Sequence, residues 1–236
     1  MTVRAVSRYN TATILPTSYR LTRREIGYYD LERTTGLDAQ EALFVLRLQA
    51  NEDAAYDELV RTYNASIFHV AYRMLSDSGE ASDVVQEIFL KIFRNIRGFR
   101  GDSGLKTWIF RIAFSEILNR LRWWKRRHRF DTFSLDEDRG GNTENGNRAI
   151  QISDSRPTPE QAFESKEQDV AIQRALARLS SDHRSILVLR DIEGFSYNEI
   201  GEVLGISVGT VKSRLARART DMKKELIRFL SVHGVR

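Results

Sequence analysis

Gly194-Phe195-Ser196-Tyr197-Asn198-Glu199-Ile200-Gly201-Glu202-Val203-Leu204-Gly205-Ile206-Ser207-Val208-Gly209-Thr210-Val211-Lys212-Ser213-Arg214-Leu215 reads as two short helices around a tight turn. Ser196 is placed to cap the first helix, with Glu199 three residues on completing a capping box. Ile200 and Leu204 fall on one face. Gly205 supplies the turn, where a left-handed backbone carries little penalty for glycine. Ser207 caps the helix that follows. In that helix Val211, Leu215, Ala218, Met222 and Leu226 form an apolar stripe. Thr210, Ser213 and Arg217 point away from the stripe, Arg214 lies beside them, and Lys212 and Arg219 flank the other side. A capped turn with small polar groups and arginines on the outer face is the pattern of a helix-turn-helix. Its second helix enters the major groove, and arginine there can donate two bonds to guanine. Lys223, Lys224 and Arg228 further along are either solvated or on phosphates.

Two helices cannot bury their apolar faces alone. Ala175, Leu176, Leu179, Ile186, Leu187, Leu189 and Ile192 just upstream are the expected remainder of that small bundle. His183 is expected at its surface.

Helical periodicity also governs the region beginning at Asp38. Leu43, Leu46 and Leu48 open it, and Tyr56, Leu59, Val60, Tyr63, Ile67, Val70, Ala71 and Leu75 recur at three- and four-residue steps. Ser76-Asp77-Ser78-Gly79 breaks the pattern. A second helix is predicted over about Glu80 to Ile96, with Val84, Val85, Ile88, Phe89, Ile92, Phe93 and Ile96 on a broad face that must be buried. Asp83, Gln86 and Glu87 project the other way at i, i+3 and i+4. That spacing fits a solvated face or a docking face. Gly98, Gly101 and Gly104 mark a loop, and a third helix is predicted from about Leu105 past Trp124. Arg120, Arg122, Lys125, Arg126, Arg127 and Arg129 are interleaved with Trp123 and Trp124. Cations that follow a phosphate backbone and rings that stack on bases suit single-stranded nucleic acid. Trp108, Phe110 and Phe114 are expected in the core.

Residues 130–163 are expected to form an acidic flexible linker. They carry Asp131, Asp136, Glu137, Asp138, Glu144, Asp154 and Glu160, are punctuated by glycine and asparagine, and end near Pro157 and Pro159. Fully extended, such a segment reaches roughly 120 Å. Residues 1–37 show no period and are expected to be a mobile extension. The expected organisation is therefore all-α: residues 38–129 as one small helical domain, 130–163 as linker, and 164–232 as a helix-turn-helix domain.

The 236 residues carry a formal net charge of +5. No cysteine is present, which excludes disulfides, thiolate metal sites and cysteine nucleophiles. Apolar runs fall far short of the roughly 20 residues that cross a bilayer, and no signal peptide is visible, so a cytoplasmic protein is expected. Four scattered histidines without an acidic cluster point away from a metal site, a cofactor or an enzyme.

Three segments together resemble an extracytoplasmic-function sigma factor of bacterial RNA polymerase, a sigma-E-like member of the sigma-70 family. Asp83 to Lys91 is similar to the family's polymerase-binding motif, and Phe99 to Ser103 with Thr107 to Ala113 to its promoter-melting segment. Gly194 to Tyr197 and Gly205 to Arg214 resemble its downstream helix-turn-helix. The resemblance implies that Asp83, Gln86 and Glu87 meet the clamp of the largest polymerase subunit. It implies that Arg100, Lys106, Trp108, Arg111, Ser115, Asn119, Arg122 and Arg126 open and read the minus-10 element. Ser207, Thr210, Lys212, Ser213, Arg214, Arg217 and Arg219 are then expected on the minus-35 element. Members often carry asparagine where this chain has Ser115. An anti-sigma partner is implied, and no small-molecule substrate. A stand-alone helix-turn-helix regulator is the alternative, but it leaves the Asp83–Glu87 face and the Arg120–Arg129 run without a role.

Overall fold

The computed structural model describes residues 37–131 and 159–233, and every regular element among them is helical. The first unit holds α1 (Ala39–Gln49), α2 (Asp53–Leu75), α3 (Ser78–Asn95), a short turn of tighter helix (Ile96–Gly98) and α4 (Leu105–Asp131). The second holds α5 (Pro159–Arg178), α6 (Ser181–Leu187), a π-helical segment (Val188–Ile192), α7 (Tyr197–Leu204) and α8 (Val208–His233).

Caps set the boundaries. The Asp38 carboxylate accepts from the backbone of Gln40 at 2.9 Å and Glu41 at 2.8 Å, which starts α1. The periodic run that follows is two helices rather than one, because Asn51 takes a left-handed backbone, φ 57°. The Tyr56 hydroxyl lies 3.0 Å from both the Leu48 carbonyl and Asn51 Oδ1 and holds that corner. Ser76, φ 62°, ends α2, and Asp77 caps α3 through Glu80 N at 2.9 Å. α3 thus begins two residues before its expected start.

The apolar faces meet as the periodicity requires. Leu59, Ile67, Val70, Met74, Ile88, Ile92, Ile109 and Phe110 are fully buried, and Phe114 is nearly so. Each such side chain contributes about 1.5–3 kcal/mol by leaving water. Three long-range bonds fix the loop between α3 and α4. Gln49 Nε2 donates to the carbonyls of Ile96 at 3.2 Å and Phe99 at 3.0 Å. Glu41 Oε1 accepts from Leu105 N at 2.8 Å, capping α4 from 64 residues away.

The second unit departs from expectation at three places. α5 begins at Pro159, inside the stretch read as linker, since proline fits the first helical position. The rest of that stretch, 132–158, and the extension 1–36 lie outside the described residues. Ile192 is 46% exposed rather than core. It ends the π segment, whose extra residue per turn rotates later side chains off the 3.6 period. His183 is half-buried, with Nδ1 2.9 Å from Asp221 Oδ2, so it ties α6 to α8. The other upstream core residues, Ala175, Leu176, Leu179, Ile186, Leu187 and Leu189, are buried, while Leu204, Met222 and Leu226 are half-buried.

The helix-turn-helix forms as read. Ser196 and Glu199 make both bonds of the capping box, and Gly205 sits at φ 66°. Gly201 has a second reason to be glycine: a Cβ there would lie 2.8 Å from the Ile206 carbonyl oxygen. α7 therefore approaches the turn at backbone distance.

The two units also pack on each other. α4 meets α7, and α2 meets α5 and α6. Phe110 and Phe195 lie at 4.9 Å between ring centroids across this junction. A chain of 236 residues read as two tethered modules thus has a seam that its local patterns do not announce.

Candidate nucleic-acid interface

On α3 the buried stripe of Val84, Val85, Ile88 and Phe89 leaves Asp83, Gln86 and Glu87 exposed together. Leu90 extends this outer stripe and is 51% exposed. The sequence reading passed over it, although its register, three residues after Glu87, sets it off the apolar face. Glu87 is not alone: Arg120 of α4 donates to its Oε1 at 2.8 Å and reaches Glu80 at 3.2 Å. One cation of the basic run therefore braces α3 against α4.

Beside this face lies an open cleft of about 400 Å³ lined by Lys91, Asn95, Gly98, Trp108, Arg111, Ile112, Ser115 and Glu116. Three of the expected melting residues, Trp108, Arg111 and Ser115, meet here. Trp108 is only 8% exposed and packs on Phe99 at 5.1 Å, so it is core that shows one edge to the cleft. Arg111 and Ser115 stand one turn apart and are exposed. Lys91 pairs with Glu116 at 2.5 Å across one wall. Lys91, Asn95 and Glu116 carried no signal in the sequence, because α3 and α4 bring them together only after packing.

Asn119, Arg122 and Arg126 continue the exposed line along α4, with Arg122 donating to Asn119. Trp123 is 42% exposed, and the Arg127 guanidinium stacks 5.0 Å from its ring. Arg100 is exposed on the preceding loop. Lys106 stands apart from this group. Its Nζ donates to the Glu193 carbonyl at 3.2 Å and lies 4.5 Å from the Phe195 ring, against the second unit. Burial pushes the Glu193 carboxyl up, and Lys106 opposes that shift.

On α8, Ser207 Oγ accepts from Thr210 N at 3.2 Å and lies 2.9 Å from Thr210 Oγ1. Ser213 Oγ donates to the Thr210 carbonyl at 3.1 Å. Lys212, Ser213 and Arg217 are exposed, and neither Lys212 nor Arg217 has an acidic partner among the described residues. Arg214 pairs with Asp182 at 3.2 Å and Arg219 with Asp191 at 2.6 Å. The hydrogen bonds that Arg219 donates to the Asp191 carboxylate hold its guanidinium above its usual range. Of these four cations, two are thus free of acids among the described residues and two are held by their own unit.

These groups are cations, amides, hydroxyls and stacked rings, which suit a polyanion. Among the described residues no His, Asp and Glu cluster could hold a metal, and no helix is long and apolar enough to cross a membrane.

Family-level similarity covers both units. The description "Sigma-70 region 2" matches residues 59–127, and "Sigma-70, region 4" matches 169–222. The RNA polymerase sigma-H factor of Pseudomonas aeruginosa is 36% identical over 187 residues, 79% of this chain and 94% of its own length. The ECF RNA polymerase sigma factor SigW of Bacillus subtilis is 34% identical over 182 residues, 77% of this chain and 94% of its own. In solved structures, the sigma factor RpoE of Bartonella quintana, in complex with the anti-sigma factor NepR, shares the fold. Its TM-score is 0.54 at 24% identity, covering 72% of this chain and 96% of that one.

Proposed function

The chain belongs to the sigma-70 family, in its extracytoplasmic-function branch, and from that premise we propose how its faces divide the work of promoter-specific initiation by RNA polymerase. The first unit, residues 38–129, grips the polymerase and opens DNA. The second, 164–232, reads the upstream element, and 130–163 spans between them.

The observation that carries this division is the exposed stripe Asp83, Gln86, Glu87 and Leu90, in which an exposed leucine stands among polar and acidic side chains and only Glu87 is tied to its own unit, through Arg120. Such a stripe fits a basic, partly apolar helical surface of the polymerase clamp. The cleft around Trp108, Arg111 and Ser115 takes an unstacked base of the minus-10 element, while Asn119, Arg122, Arg126 and Trp123 follow the displaced strand. Arg100 serves the same strand from the loop. Unstacking takes a few kcal/mol per step, which these contacts offset. On α8, Lys212, Ser213 and Arg217 reach the minus-35 element directly. Ser207 and Thr210 shape its first turn, and Arg214 and Arg219 act through their acid partners or after releasing them.

The chain acts by binding rather than catalysis, in the cytoplasm where polymerase and promoter DNA are found. The Bartonella quintana relative in complex with an anti-sigma factor supports an anti-sigma partner here as well. In vitro transcription with core polymerase and a genomic promoter pool tests the reading. New initiation sites that appear only with this chain are expected. Tight operator binding with no stimulation of core polymerase would overturn the assignment and favour a stand-alone regulator.

A further inference from the structure

Arg214 and Arg219 lie roughly 140° apart around α8 at 3.6 residues per turn, and each meets one carboxylate from an element that precedes the helix-turn-helix. The two pairs are built differently. Arg219 donates to Asp191 through Nε at 3.2 Å and Nη2 at 2.6 Å, so the carboxylate occupies the edge of the guanidinium that carries two parallel donors. Arg214 approaches Asp182 through Nη1 alone, at 3.2 Å. Its Nε and Nη2 have no partner among the described residues, so its paired-donor edge stays open.

Asp182 has a fixed place from which to do this. It stands in the first turn of α6, where Ser180 Oγ accepts from His183 N at 3.2 Å. His183 Nδ1 lies 2.9 Å from Asp221 Oδ2, two turns along α8 from Arg214. The buried Arg184 donates to the carbonyls of Ala177 at 2.5 Å and Leu179 at 3.3 Å, at the end of α5. His183 and Arg184 thus pin the turn that carries Asp182 to α8 on one side and to α5 on the other.

An arginine in water spreads over many rotamers, and ordering it on a base costs that freedom. One held at Nη1 has given it up before docking. The open edge offers two parallel donors, which match the two acceptors that guanine presents in the major groove. The neighbouring carboxylate repels a phosphate set against that edge and repels a neutral base far less.

We propose that Asp182 is a positioning residue for recognition of the upstream element: its carboxylate holds Arg214 with the Nε–Nη2 edge open, and so sets discrimination between bases. This rests on the sigma-factor reading above, in which α8 meets the minus-35 element. Asp191 has no such role, because it occupies the edge that would do the reading.

The test is transcription by core polymerase with the full chain, on a promoter pool whose upstream element is randomised. Arg214→Ala locates the position that Arg214 reads, where a guanine preference should disappear. Asp182→Ala should weaken the preference at that same position at least about fivefold and leave the other positions as they were. Asp182 is 61% exposed, so its loss should not lower thermal unfolding. A full guanine preference in Asp182→Ala overturns the proposal. A loss spread evenly over the whole element also overturns it, because Asp182 would then only support the fold. If the unmodified chain shows no upstream preference, the sigma-factor reading fails and this proposal with it, and that result is in hand before any variant is compared.

Discussion

The exposed basic sides of α4 and α8 carry similar charge and treat it differently. On α4, Arg111 and Arg126 stand exposed without an acidic partner among the described residues, and Arg122 leans only on Asn119 and its own helix. On α8, Arg214 and Arg219 are held by Asp182 and Asp191 from the elements packed beneath. The density of basic residues is thus a poor guide to which of them are left without an acid. Position on the helix decides it: Arg120, which faces α3, finds Glu80 and Glu87, and Arg214 and Arg219 find Asp182 and Asp191, while Arg111, Arg126, Lys212 and Arg217 face away from such acids. Each arrangement has a consequence: open cations attract a strand from a distance, and braced ones stiffen the reader before it docks.

The largest expected effect tests whether α4 is held rigid by apolar packing in the way α8 is held by ion pairs. Phe114→Ala should lower unfolding stability by about 3–5 kcal/mol in denaturant titration. A loss under about 1 kcal/mol would mean that the first unit does not depend on that packing. Next, Glu87→Arg sets a cation against Arg120 on the acidic stripe. Affinity for core polymerase should fall by about 2 kcal/mol or more, with DNA binding by the second unit unchanged. Equal affinity for core would remove the docking role. Within α8, Arg217→Ala should weaken binding to the preferred upstream sequence by about 1–3 kcal/mol, and Arg219→Ala by less than about 1 kcal/mol. The reverse order in a competition assay would show that the Asp191 pair opens on DNA and that bracing is the wrong description. The smallest effect is at Glu199. Its bond to Ser196, aided by Thr107 and Lys106, holds its carboxyl below the ordinary 4.5. That stability is full above pH 4.5 and fades as pH falls through the folded value. Glu199→Gln should flatten the acid limb of stability, and an unchanged limb would show the carboxylate idle.

What could be read in advance was whatever a few neighbouring residues determine. The box of Ser196 and Glu199, the left-handed Gly205 and the buried stripe of Val211, Leu215 and Ala218 are all local consequences of residue type and spacing. Asp83, Gln86 and Glu87 were legible as one face for the same reason. Asn51 broke a periodic run because asparagine tolerates a backbone that periodicity does not register. Lys106 was grouped with DNA contacts, yet its surroundings come from Glu193 and Phe195, 87 and more residues away. Arg120 of α4 pairs with Glu87 of α3, and Lys91, Asn95 and Glu116 build a cleft, only because two helices cross where they do. Ile192 was misplaced by a single wide turn. Such outcomes depend on tertiary placement, which spacing along the chain does not contain.

The bare Cα of residue 201 has a reach beyond its own helix. With the Ile206 oxygen 2.8 Å from where a methyl would stand, the support helix and the elbow before α8 share their clearance. The tilt of α8 is therefore governed by an atom that is missing, at a position on the helix before it. An added carbon there must push the elbow away and swing the axis of α8, so where Lys212, Ser213 and Arg217 are presented is decided partly from behind them.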